Sequence, residues 1–126
     1  MTNSFRSAVE SGDPAQIADV LHADVQFHSP AVFTTYRGRE QTLVVLRAVF
    51  EVFEDFRYIA ELRNGDDEML RFTARVGDLQ LEGVDLVRYG PDGTVAELTV
   101  MVRPLKALAA VAEAVGRQIA ANARAR

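Results

Sequence analysis

Three features of the sequence predict an α+β domain, with helices folded into the concave face of a strongly curved antiparallel sheet around a small apolar pocket. Helical spacing of apolar residues dominates the chain up to Phe53 and returns after Pro104. Between Phe56 and Arg103 the period changes to two. Short turns separate the period-two runs, so strands adjacent in sequence run antiparallel. Two of those runs approach ten residues, well above the mean of ~5–6. Strands of that length in a small domain twist and bend, and helices gathered before such a sheet pack on its concave side.

Phe5 to Glu10 predicts a short helix with Phe5, Ala8 and Val9 inward. Ser11-Gly12-Asp13-Pro14 interrupts it. Asp13 suits an N-cap and Pro14 the first turn of a second helix, where the missing N–H costs nothing. Ile17, Val20 and Leu21 continue that helix, and His22 ends it, where a partly positive ring complements the helix dipole. Val25 to His28 alternates as a short strand, closed by Ser29-Pro30, and a looser segment follows from Ala31 to Arg37. After Gly38, Leu43, Leu46, Phe50 and Phe53 line one stripe of a helix over Arg39–Phe53. Val45, Val49 and Val52 widen the stripe, as expected of a helix buried on more than one side. Four strands are predicted at Phe56–Arg63, Met69–Val76, Leu79–Tyr89 and Thr94–Arg103, joined through Asn64-Gly65-Asp66-Asp67, Gly77-Asp78 and Gly90-Pro91-Asp92-Gly93. Gly83 is the natural bend inside the longest. Pro104 opens a last helix with Leu105, Leu108, Val111, Ala112, Val115 and Ile119 on its apolar stripe. Three placements stand for it: across the pocket mouth, against a partner, or packed on its own sheet.

The bulk properties narrow the function classes. A chain of 126 residues fits one domain, 1–126, and buries about two-thirds of its unfolded surface without a staple. There is no cysteine, which excludes disulfides, thiolate metal sites and cysteine nucleophiles. His22 and His28 are the only histidines, so no metal site is expected. A net charge of −4, with scattered arginines, argues against nucleic acid as a partner. No stretch approaches the ~20 apolar residues of a membrane span and no signal-like leader opens the chain. The cytoplasm is the simplest expected location.

Asp85 breaks the alternation. Along Leu79–Tyr89 one face carries Leu79, Leu81, Gly83, Asp85, Val87 and Tyr89. If that face points inward, the carboxyl is desolvated and must be paired, protonated or in contact with a ligand. Burial raises a carboxyl pKa, which is how a protein keeps a neutral acid ready to donate a hydrogen bond. Three readings stand: a pocket role; a structural bond to Tyr36, Tyr58, an arginine or the backbone; or a different strand register that leaves Asp85 exposed.

In the order Phe5-x7-Asp13, Leu21-His22-Ala23-Asp24-Val25, Ser29-Pro30, Tyr36-Arg37-Gly38-Arg39-Glu40 and Val84-Asp85-Leu86-Val87-Arg88-Tyr89, the chain resembles the nuclear transport factor 2-like superfamily, in its SnoaL-like and ketosteroid-isomerase-like branch. The resemblance covers nearly the whole chain. It implies a cone-shaped barrel with a pocket in the cone, commonly a homodimer formed through the sheet, and no cofactor. Ketosteroid isomerases use an aspartate base, a tyrosine and a protonated aspartate; that enzyme is a standard example of a neutral buried carboxylic acid. Carried over, the protonated aspartate falls on Asp85, the base on Ser29 and the tyrosine on Phe5. A serine without an activating base does not abstract a carbon-bound proton at a useful rate, so steroid isomerisation by that machinery is rejected. Epoxide hydrolases of the same fold use two aspartates and an arginine; this chain offers one central aspartate.

The candidate catalytic residues are therefore Asp85 and His28, the latter as a base near neutral pH or else a hydrogen-bonded strand-end residue. Phe5, Ser29, Tyr36, Tyr58 and Leu98 are the candidate ligand contacts. Glu97 to Val102 alternates weakly, an independent hint that the second sheet face is covered by another copy. Glu54-Asp55 and Asp66-Asp67-Glu68 read as solvated turns. The expected function is binding of a small, largely apolar metabolite, with acid/base chemistry of the cyclase, isomerase or dehydratase type as its catalytic form. The alternative is a binding or dimerisation module with no reaction.

Overall fold

A computed structural model describes residues 4–125. Its elements follow the order α1 (Phe5–Ser11), α2 (Pro14–Val20), β1 (Leu21–His28), β2 (Tyr36–Arg37), α3 (Arg39–Val52), β3 (Glu54–Asn64), β4 (Asp67–Val76), β5 (Leu79–Tyr89), β6 (Val95–Arg103) and α4 (Leu105–Arg124). The capping chemistry is as the residues dictate. Ser4 and Ser7 form a reciprocal capping box on α1, and the Asp13 carboxylate accepts the Ala15 N–H at 2.9 Å to open α2.

The six strands form one sheet in the order β2-β1-β6-β5-β4-β3. From β3 to β6 the pairing is the expected antiparallel meander. The pair β1–β6 is parallel, against the all-antiparallel expectation. Tight turns fix direction only between strands adjacent in sequence, whereas β1 and β6 are separated by α3 and three strands. Alternation places Leu70, Phe72, Ala74, Leu81, Gly83, Asp85, Val87 and Leu98 on the inner face, all buried against α1, α3 and α4. Gly83 allows the sheet to close tightly there. A Cβ at this position would press on the Met101 carbonyl oxygen and lie 2.6 Å from Phe72 Cζ.

Other boundaries differ from the sequence reading for local reasons. Helix α2 stops at Val20, with Leu21 already extended, so His22 belongs to β1 and does not cap a helix. Its Nδ1 accepts the Asp24 N–H at 3.0 Å. The looser segment contains β2, which pairs Tyr36 with Phe27 and Arg37 with Gln26. Strand β3 begins two residues early, with Asp55 in a left-handed turn at φ 53°, where Glu54 and Asp55 both hold Arg75.

Candidate functional site

Helix α4 lies across the open end of the curved sheet. Leu108, Val111, Ala112 and Val115 form the roof of a cavity of about 70 Å³. Phe5 of α1, Phe50 of α3, and Phe27 and Ser29 at the end of β1 form its sides; Phe72, Asp85, Val100 and Val102 form the sheet wall. The helix is held by its own chain, since Gln118 and Asn122 donate to the Glu51 carboxylate of α3 at 3.0 Å each. Within this chain α4 both covers the pocket mouth and packs on its own sheet. A wider groove of about 760 Å³ runs between α1, α2 and α3. It is open to solvent, and its polar side chains, Glu40, Gln41, Arg47 and Glu51, are all exposed. No perturbed group faces it, so the smaller enclosed cavity is the better candidate.

Asp85 carries the chemistry of that cavity. It sits on the inner face of β5, opposite Leu70 on β4 and Val100 on β6, and is 5% exposed. The Tyr58 hydroxyl donates to its Oδ2 at 2.7 Å. Burial among apolar side chains pushes the Asp85 pKa up to about 7, against the opposing pull of the Tyr58 hydrogen bond. Burial, and next the Asp85 charge, raise the Tyr58 phenol well above its ordinary value, so Tyr58 remains a donor across the physiological range. The Tyr58 ring stands edge-on to Phe56 and Phe72. The Arg6 guanidinium lies 5.7 Å from its centroid and reaches Glu10 and Glu61 at 3.3 Å.

Of the sequence-predicted residues, Phe5, Ser29 and Asp85 meet on the cavity. Tyr58 joins them through Asp85. Ser29 Oγ accepts the Ala31 N–H at 3.1 Å, a local turn bond rather than an activated nucleophile. His28 does not reach the cavity. Phe27 is turned inward, so strand alternation sends His28 to the outer face, where Nε2 meets Glu97 Oε2 at 2.7 Å and Nδ1 meets Thr35 Oγ1 at 3.1 Å. Tyr36 stacks on Phe27, with centroids 5.9 Å apart, at the β2 edge. Leu98 is fully buried opposite Val87. Neither Tyr36 nor Leu98 lines the cavity.

One feature went unread in the sequence, and a second, Glu68, was expected in a solvated turn but lies in β4. Phe50, Phe53, Phe56 and Phe72 form an aromatic cluster on the cavity wall, with centroids 5.1–5.9 Å apart; two of them were visible only as a helical stripe. Glu68 is buried at 5% exposure. It accepts from the Tyr89 hydroxyl at 2.8 Å, and that hydroxyl accepts the Phe5 N–H at 3.1 Å, anchoring α1 to the sheet. The signal was present: Glu68 is in phase with Leu70, Phe72 and Ala74. Among the described residues no group of three or more histidine or acidic side chains is placed to hold a metal ion.

The SnoaL-like domain family matches residues 2–103. The chain belongs to this family. Among solved structures, a steroid delta-isomerase from Pseudomonas aeruginosa is 34% identical, with a TM-score of 0.90 over 95% of this chain and 89% of that one. An uncharacterised protein with a cystatin-like fold from Silicibacter pomeroyi is 33% identical, with a TM-score of 0.90 over 95% and 85%. A third, of unknown function from Xanthomonas campestris, is 26% identical, with a TM-score of 0.68 over 86% and 92%. No curated protein matches the sequence. The superfamily and the α+β fold expected from the sequence are thus those of the molecule. In this SnoaL-like domain no described helix is long and apolar enough to cross a membrane.

Proposed function

We propose that this SnoaL-like domain binds a small, largely apolar molecule in the cavity beneath α4, with the Asp85–Tyr58 pair as its polar anchor. The observation that carries the reading is a single buried carboxyl, in contact with one protein donor, on the wall of an otherwise apolar cavity. A polar group placed this way costs stability unless a partner compensates it. Convergent polar groups in an apolar pocket are the usual mark of a ligand site.

Binding is favoured over the acid/base reaction. The relative from Pseudomonas aeruginosa is a steroid delta-isomerase, but here the position carried over from the isomerase base is Ser29 and that of the tyrosine is Phe5. Among the described residues Asp85 is the only carboxyl on the cavity, and His28 is on the opposite face of the sheet. With α4 seated, the cavity is below half the ~150 Å³ that holds benzene. A steroid would require the helix to swing away. The outer sheet face supports a homodimer: Leu62, Met69, Leu86, Val84 and Met101 lie on it in register, with Leu62 66% and Met101 54% exposed, beside the Arg71–Glu82–Arg103 ion network.

Methyl-resolved NMR under xenon, followed by titration with neutral and charged compounds of about four heavy atoms, tests the site. The methyl signals of Val100, Val102, Val111 and Val115 are expected to shift selectively. If none of these probes moves them, the cavity is sealed packing and not a binding site.

A further inference from the structure

The class of ligand follows from what the cavity wall offers. This argument rests on the binding reading above. Six phenylalanine rings reach the cavity. Phe50, Phe53 and Phe72 pack around Phe56 at interplanar angles from 6° to 79°, so the wall is predominantly aromatic. Aromatic rings attract cations, most strongly where both are desolvated. Among the described residues no lysine, arginine, histidine, asparagine or glutamine lines the space, and Ser29 and Asp85 are the polar side chains that do. Tyr58 aims its proton at Asp85 Oδ2, which favours the ionised carboxyl over the neutral acid. A carbonyl ligand would find no fixed donor apart from the Ser29 hydroxyl. A ligand that brings its own positive charge and N–H would find a carboxylate and an aromatic wall.

We infer that the cavity takes a small alkylammonium group of about four heavy atoms, its N–H directed to Asp85 and its methyl groups against the phenylalanine rings. The charge on the ligand supplies a countercharge to a buried carboxylate whose bonded protein partner, the Tyr58 hydroxyl, is neutral. The size limit comes from the volume of about 70 Å³ beneath α4, which excludes aromatic or steroidal amines while the helix is seated.

The test uses the intact protein and two probes of equal shape, trimethylammonium chloride and isobutane. Each is titrated at pH 7.5 while the Val100, Val102, Val111 and Val115 methyl signals are followed. Trimethylammonium is expected to bind at least tenfold more tightly than isobutane. Asp85→Asn, checked for an intact fold by its methyl dispersion, is expected to lose at least tenfold in ammonium affinity. If Asp85→Asn does not fold, the comparison of the two probes on the unaltered protein decides. Isobutane binding as tightly as or more tightly than trimethylammonium, or an Asn form that binds ammonium undiminished, overturns the inference while leaving an apolar site. No response to either probe overturns both the inference and the binding reading.

Discussion

Asp85→Asn gives the sharpest test of the site, because it replaces a titrating group with a neutral one of nearly the same shape. The carboxyl has a pKa near 3.8 in the unfolded chain and about 7 when folded. The folded state therefore holds its proton more tightly. The resulting stability is fully present below pH ~4 and is lost as pH rises, at about 1.4 kcal/mol per unit, until the folded group ionises near pH 7. Between pH 5 and pH 8 the loss is about 3 kcal/mol for the unaltered protein, while asparagine loses nothing. Urea unfolding of both proteins at each pH, with the difference taken between them, cancels every other titrating group. The difference should move by about 3 kcal/mol in favour of the Asn form, or roughly 10 °C in melting temperature. The amide N–H groups of the substituted side chain add a constant cost of about 1–3 kcal/mol if unpaired, which shifts the curve without bending it. Parallel stability curves from pH 5 to 8 would refute the reasoning. They would mean that Asp85 is ionised throughout and belongs to a compensated structural pair.

Removing the Tyr58 hydroxyl in Tyr58→Phe deletes the bond that lowers the Asp85 pKa, so the carboxyl should titrate above its present value of about 7, read from its ¹³C NMR shift against pH. Gly83→Ala should destabilise the fold by about 1–3 kcal/mol in urea unfolding, since its Cβ meets a backbone carbonyl and the Phe72 ring. His28→Ala should leave ligand-induced methyl shifts unchanged and cost about 1 kcal/mol in urea unfolding, the range for a side-chain hydrogen bond such as that to Glu97. Leu86→Lys, placed at the centre of the outer face, should convert a dimer to a monomer in sedimentation equilibrium without lowering cavity binding.

The period-two runs and turn residues determined the meander from β3 to β6, and the Leu79–Tyr89 strand was legible to the residue because alternation is a local property. The same alternation identified Asp85 as the inward-facing carboxyl, since a polar residue in phase with Gly83 and Val87 has nowhere else to point. It also had the means to place His28 outside, once Phe27 was taken as core. Two positions read from the resemblance, Phe5 and Ser29, meet Asp85 at the cavity although 56 and more residues separate them from it in the chain.

Other properties lay beyond local pattern. The parallel β1–β6 pair joins segments far apart in sequence, and no turn chemistry encodes that direction. Which tyrosine holds Asp85 depended on the β3–β4–β5 register, including the shift between Tyr58 and Ala60 that sets the Tyr58 hydroxyl against the carboxyl. The size of the cavity depended on where α4 comes to rest, and that follows from its packing on α3 and the sheet. The sequence by itself determined which side chains face inward, because a strand period of two and a helix period of 3.6 act over a few residues. Only the tertiary structure decided which of them meet, because side-chain contact across strands and helices depends on register and packing between distant segments.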